Sequence, residues 1–105
     1  MSVTLINLFD VPAGLDDEFQ QLWLQVNEHM RAQPGYLEHT LHQALTPDAR
    51  YRFVNMARWR SEEEFRAAHG AEFRALVSQP GWEKFPPQPA LYQVVNHAEA
   101  EGSPA

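Results

Sequence analysis

Two asparagines interrupt apolar runs that otherwise read as strands. Asn7 sits between Leu5 and Phe9 on one alternating face, and Asn55 sits between Phe53 and Ala57 on another. A buried amide left without partners costs about 1–3 kcal/mol. Each is therefore either tied to neighbouring backbone or water, or held ready for a ligand. Trp59 follows Asn55 by four residues, and on a strand that spacing puts both on one face. An indole offers a wide apolar wall and one N–H donor. Two amides and an indole on greasy strand faces could grip a flat, oxygenated aromatic molecule. The plainer reading of Trp59 is a core side chain.

Two further side chains have usable chemistry. Arg74, beside Phe73 and Leu76, either snorkels to solvent or stabilises an enolate or phenolate through a charge-assisted hydrogen bond. His69, ten residues after Trp59, could act as an acid or base near neutral pH, bind a metal or haem, or simply finish a helix. His39 and His42 are three apart on a strand, hence on opposite faces, and do not form a metal pair; His29 and His97 are isolated. No H-x-x-x-H, Walker, G-x-G-x-x-G or G-x-S-x-G pattern occurs.

The elements that must position these residues are legible in the periodicity. Val3–Val11 reads as a central strand, apolar on both faces and ended by Pro12-Ala13-Gly14. Leu15, Phe19, Leu22, Trp23, Val26 and Met30 form one helical stripe, predicting a helix over about Asp16–Ala32 that Gln33-Pro34-Gly35 stops. Tyr36–Ala44 is a second strand with Leu37, His39 and Leu41 facing one way; Tyr51–Trp59 is a third, joined to it as an antiparallel hairpin. Ser61-Glu62-Glu63-Glu64 is a capping box opening a helix, Gly70 breaks it, and Phe73–Val77 forms a second short piece. Pro80, Gly81, Pro86 and Pro87 mark a loop before a last strand, Ala90–Asn96.

The order is βαββαβ, a ferredoxin-like α+β layout: a four-stranded antiparallel sheet with the helices on one face. Its other face carries apolar side chains, and an exposed patch of that kind marks an interface. Two such sheets packed face to face would cover it, so a homodimer is expected. We read residues 1–97 as one domain and 98–105 as a flexible C-terminal tail.

Composition narrows the function. The chain has 105 residues with 8 Lys plus Arg against 14 Asp plus Glu, a net charge of −6. That balance lacks the basic footprint nucleic acid demands. The hydrophobic share of 44% and charged share of 21% are ordinary for a globular domain, which argues against global disorder. No cysteine is present, so disulfides, Cys-ligated zinc and Fe–S clusters are excluded. No stretch approaches 18 apolar residues, and MSVTLINLFD has no basic n-region; a cytoplasmic protein with no membrane partner is expected.

The block Phe53-Val54-Asn55-Met56-Ala57-Arg58-Trp59-Arg60-Ser61-Glu62-Glu63-Glu64-Phe65 carries a resemblance. With Val3-Thr4-Leu5-Ile6-Asn7, Val11-Pro12-Ala13-Gly14 and Gln33-Pro34-Gly35-Tyr36-Leu37, it resembles the antibiotic biosynthesis monooxygenase (ABM) family of dimeric α+β barrel proteins, over about residues 3–96. Members of that family include cofactor-free anthrone oxygenases and haem-degrading oxygenases. The first group implies a monooxygenase that oxidises a small anthrone- or quinol-like aromatic with O2 and needs no cofactor or metal. It implies catalytic roles for Asn7, Asn55 and Trp59, with Arg74 matching a further basic residue at a shorter spacing from Phe65. Phe65, His69 and Phe73 are expected against the substrate; some quinone-forming members carry a tyrosine where this chain has Phe65. The haem-degrading group is the alternative. Asn7 fits it, but its helical Trp falls near Ala68 here and its proximal His near Val77. A third reading is a dimeric small-molecule binding module that turns nothing over.

Overall fold

The computed structural model describes residues 1–102. The alternating N-terminal run forms β1 (Val3–Phe9), turning Leu5, Asn7 and Phe9 to one face. Gly14, at φ +85°, makes the turn into α1 (Asp16–Met30). There the predicted stripe is buried through Phe19, Trp23, Val26 and Met30, and Asp16, Asp17 and Glu18 occupy the first turn, where the helix dipole favours negative charge. β2 (Tyr36–Gln43) and β3 (Phe53–Trp59) form the hairpin. α2 (Glu62–Ala68) and α3 (Ala71–Val77) follow, broken at Gly70. A 3-10 turn at Trp82–Lys84 leads to β4 (Pro87–Tyr92). The strands lie in the order β2-β3-β1-β4, every neighbour antiparallel, with the helices packed on one face. The architecture is α+β and ferredoxin-like.

Two local joints fix how the helices sit on the sheet. Ser61 caps α2: its Oγ accepts the Glu64 N–H at 3.1 Å and donates to Glu64 Oε1 at 3.1 Å. The Glu64 carboxylate also pairs with Arg60, and the Arg60 N–H donates to the Gly35 carbonyl at 2.8 Å. Gly35 has φ +88°, and a Cβ there would meet the Glu64 side chain at 2.6 Å, so only glycine lets β2 and α2 come this close. At the other end, Arg52 spans Asp16 at the start of α1 (3.0 Å) and the Ala44 carbonyl (2.7 Å), clasping the hairpin to the helix.

The sequence reading is corrected at the last strand. β4 begins at Pro87 and ends at Tyr92, three residues before the expected start and four before the expected end. Pro87 and Pro89 are tolerated because β4 is a sheet edge, where a missing N–H need not break a ladder on both sides. Residues 93–102 lie outside the sheet; of the expected tail, 103–105 fall outside the described residues. A second correction concerns β2. The register passes from Tyr36↔Trp59 to Glu38↔Arg58, so Leu37 is bulged out and 44% exposed, and Tyr36 joins His39 and Leu41 on the helix-facing side. Among the described residues no helix is long and apolar enough to cross a membrane.

Candidate active site

β1 and β3 pair so that Asn7 lies directly opposite Asn55, Leu5 opposite Ala57, Phe9 opposite Phe53 and Val3 opposite Trp59. All eight face the helices. The Phe9–Phe53 pair is sealed by Phe19 of α1, but the next pairs are not filled from above. Between them and the helices lies a cavity of about 700 Å³, within the range of small-molecule sites.

The amide pair and the indole line this cavity together. Asn7 Oδ1, Asn55 Oδ1 and Trp59 Nε1 are all buried with no hydrogen-bond partner among the described residues. Asn55 is 4% exposed and Trp59 1%. Native interiors pair nearly all such atoms, so three orphans on residues of one cavity point to a polar ligand. Either end of each amide suits an oxygenated guest: the NH2 donates to an oxyanion, the carbonyl accepts from a hydroxyl.

The rest of the wall is apolar and aromatic. Val26 and Met30 of α1 roof it, Phe65 of α2 and Phe73 of α3 flank it, and Pro87 and Pro89 of β4 close one side with rigid rings. Trp59 is held edge-on by Tyr36 (5.1 Å between ring centroids) and Phe65 (5.7 Å). His69, the residue capping the C-terminus of α2, also lines the cavity; its Nδ1 lies 2.6 Å from the Phe65 carbonyl. Burial pulls the His69 imidazole below its ordinary value, partly offset by that carbonyl.

The structure thus brings Asn7, Asn55, Trp59, Phe65, His69 and Phe73 to one cavity. It does not bring Arg74 there. That side chain is exposed on α3, outside the cavity wall, because the short helix turns Phe73 and Val77 inward and position 74 away. No Lys or Arg lines the cavity among the described residues.

Sequence reasoning missed several wall residues. Tyr36 was hidden by the Leu37 bulge, which reverses which residues face inward before it. Its hydroxyl bonds His39 Nδ1, and burial pushes its pKa up to about 12, with Arg31 opposing and Glu38 reinforcing. Asn27, buried in α1 and spending its Nδ2 on the Trp23 carbonyl at 2.9 Å, also lines the site, as does Trp82. Asn27 alone carried a signal, as a polar residue adjoining Val26 on the apolar stripe.

Residues 2–79 match the antibiotic biosynthesis monooxygenase family. The chain belongs to that family. A curated relative, the tetracenomycin-F1 monooxygenase of Streptomyces glaucescens, is 40% identical over 67 residues, 63% of this chain. The matched part is 57% of that relative, so the chain spans little more than half its length. Among solved structures, a Shewanella loihica PV-4 protein provisionally assigned as a monooxygenase superposes with a TM-score of 0.80 at 35% identity, covering 91% of this chain and 96% of that one. SnoaB, a cofactor-independent oxygenase from Streptomyces nogalater, has a TM-score of 0.77 at 24% identity over 91% and 95% of the two chains. The ABM fold is also shared by the haem-degrading protein Rv3592 of Mycobacterium tuberculosis, with a TM-score of 0.67 at 22% identity, covering 94% of this chain and all of that one.

Proposed function

We propose that this protein is a cofactor-independent monooxygenase that oxidises a small anthrone- or quinol-like aromatic with O2. One observation carries the reading: three unpartnered polar atoms belong to residues of a single apolar cavity large enough for a fused-ring guest. The family membership and the 40% identical monooxygenase support the reaction class.

The chemistry suits such a site. Deprotonating the CH2 of an anthrone gives a carbanion delocalised onto the ring carbonyl. It passes one electron to O2, the radical pair forms a C–O bond, and the peroxide collapses to the quinone and water. In sum CH2 plus O2 gives C=O plus H2O, and the substrate is the only reductant. The protein must desolvate the ring, orient it and stabilise the anion. The Trp59 N–H and the Asn7 and Asn55 amides are the groups for that oxyanion, in a largely apolar wall where each donor counts for more than in water. Arg74 has no part in this site.

The haem reading fits less well. His69 offers a ring nitrogen, but among the described residues no Lys or Arg lines the cavity to meet the two propionates.

Oxygen uptake with anthrone, followed by electrode, tests the proposal. Asn55→Ala and Trp59→Phe are expected to lower kcat/KM by about 10²-fold, the range for loss of one oxyanion donor. Unchanged rates in both would remove the site. Binding without uptake in the unmodified protein would leave a binding module, and a Soret shift on haem titration would favour the haem reading.

We also propose a homodimer, housed in the cytoplasm, with residues 1–97 as its domain. The sheet face away from the helices pairs Ile6 with Met56 and Leu8 with Val54, and Met56 and Tyr92 stand 41% and 51% exposed. A second copy laid on this face would cover them. Sedimentation is expected to give a dimer that Met56→Glu dissociates; a monomer at micromolar concentration without the substitution overturns it.

A further inference from the structure

We propose that His69, through its Nε2, is the general base of this site: it takes the proton from the substrate CH2 and hands it on to the peroxide. The inference rests on the monooxygenase reading of the same cavity and adds the proton carrier that the amides and indole do not supply.

The ring's geometry sets its tautomer. A carbonyl oxygen only accepts, so the 2.6 Å contact between His69 Nδ1 and the Phe65 carbonyl places the hydrogen on Nδ1. Nε2 then holds the lone pair. The imidazole is packed in place by Phe65 at 4.0 Å, Phe73 at 4.5 Å and Trp59 at 5.7 Å, centroid to centroid. A base that cannot swing away is positioned for proton transfer before substrate arrives. It shares the wall with Trp59, whose N–H meets the charge that the same transfer creates.

The other titratable groups of the cavity are poorer bases. Tyr36 is held protonated, its hydroxyl already engaged with His39. Glu83 is exposed and its carboxylate accepts the Gly81 N–H at 2.7 Å. The charged groups of α2 and α3 look elsewhere: Arg66 pairs with Glu62 and Glu64 with Arg60, Glu72 faces His29 of α1, and Glu63 and Arg74 are exposed outside the cavity wall. The surroundings therefore leave His69 neutral and able to accept at pH 7. Its bond to Phe65 strengthens as the ring gains charge, which eases the transfer.

One imidazole closes the proton balance. Nε2 takes the first CH2 proton, and the carbon's electron pair spreads onto the ring carbonyl. After electron transfer and C–O bond formation, the peroxide anion takes that proton back. Nε2 then removes the second C–H proton as the C=O bond forms and the O–O bond breaks. The departing hydroxide takes the proton and leaves as water.

The test reads proton abstraction without oxygen. Under anaerobic conditions in D2O, deuterium exchange at the anthrone CH2 is followed by NMR with the full chain, His69→Gln and His69→Asn. Anthrone binding is measured alongside by quenching of tryptophan fluorescence. The unmodified protein is expected to accelerate exchange well above buffer. Each variant should lose about 10²-fold of that rate, the usual worth of a positioned base, while binding anthrone within about two-fold. Exchange in either variant within three-fold of the unmodified protein would overturn the assignment. So would no acceleration by the unmodified protein, and loss of binding in both variants would make His69 a wall residue only. Exchange without oxygen uptake would keep His69 as the base and sink the monooxygenase reading, so the two failures are distinguishable.

Discussion

The space between sheet and helices is solid at one end and hollow at the other, although the same two strands floor both. At the solid end Phe9 faces Phe53, and Phe19 packs on both at 4.8 and 4.7 Å with Phe85 edge-on at 5.4 Å; none is more than 3% exposed. One pair further along stand Asn7 and Asn55, then Leu5 and Ala57. On β3 the inward residues run Phe53, Asn55, Ala57, Trp59: large, polar, small, large. The small residue makes room, the polar one goes unpaired, and the large one forms a rim. The lesson is a division of labour. Four close-packed phenylalanines stabilise the fold where nothing has to bind, and the neighbouring stretch can then tolerate a void and three unsatisfied polar atoms.

The sharpest way to break this comparison is to truncate one residue at each end. Phe19→Ala removes the ring that locks the solid end, and is expected to cost about 3–5 kcal/mol in denaturant unfolding. A cost under about 1 kcal/mol would mean that the phenylalanine cluster does not carry the fold. At the hollow end the sign should reverse. Asn55→Leu replaces an unpaired buried amide with a side chain of similar size and is expected to stabilise the chain by about 1 kcal/mol. The same change should weaken anthrone binding and lower turnover by at least about tenfold. Destabilisation by Asn55→Leu would show that the amide is structural.

Much of this contrast could be read before the fold was known, and the reasons for the exceptions are physical. Asn7, Asn55 and Trp59 stood out because strand parity is strict and a polar break in an apolar face is visible from spacing alone. The capping box at Ser61 and the break at Gly70 were local signals, and local signals carry the helix starts. Tyr36 was not legible, because one bulged residue, Leu37, flips the parity on which the inference relied. β4 was misplaced because proline argues against a strand in general but not at an edge, and nothing local says which strand will be the edge. Arg74 was judged by its neighbours Phe73 and Leu76, yet which side of a seven-residue helix faces inward is decided by the packing of α3 against α1. The cavity itself left no trace in the pattern, since a void is a property of how much volume the helices bring, not of periodicity.

The smallest expected effect separates the two ends by acid. The phenylalanine cluster has no titratable side chain of its own, whereas two partly buried histidines belong to the other half: His69 in the cavity wall and His39 on β2 opposite Ala57. Burial lowers both below the ordinary 6.5, and for His39 the Arg31 charge lowers it further while Glu28 opposes. The sign follows from proton counting. As pH falls through about 6.5, the unfolded chain takes up protons that the folded chain still refuses, so stability falls with pH until each folded imidazole also protonates. The carboxylates act later: Glu64, held down chiefly by its bond to Arg60, and Glu83, by backbone N–H groups, both sit below 4.5. A modest loss of melting temperature is therefore expected between about pH 7 and pH 5, before Glu64 or Glu83 contributes. His69→Gln should flatten part of that slope and His39→Gln another part, with Phe19→Ala shifting the whole curve down at unchanged slope. A slope that survives both histidine substitutions would place the acid sensitivity outside the hollow end.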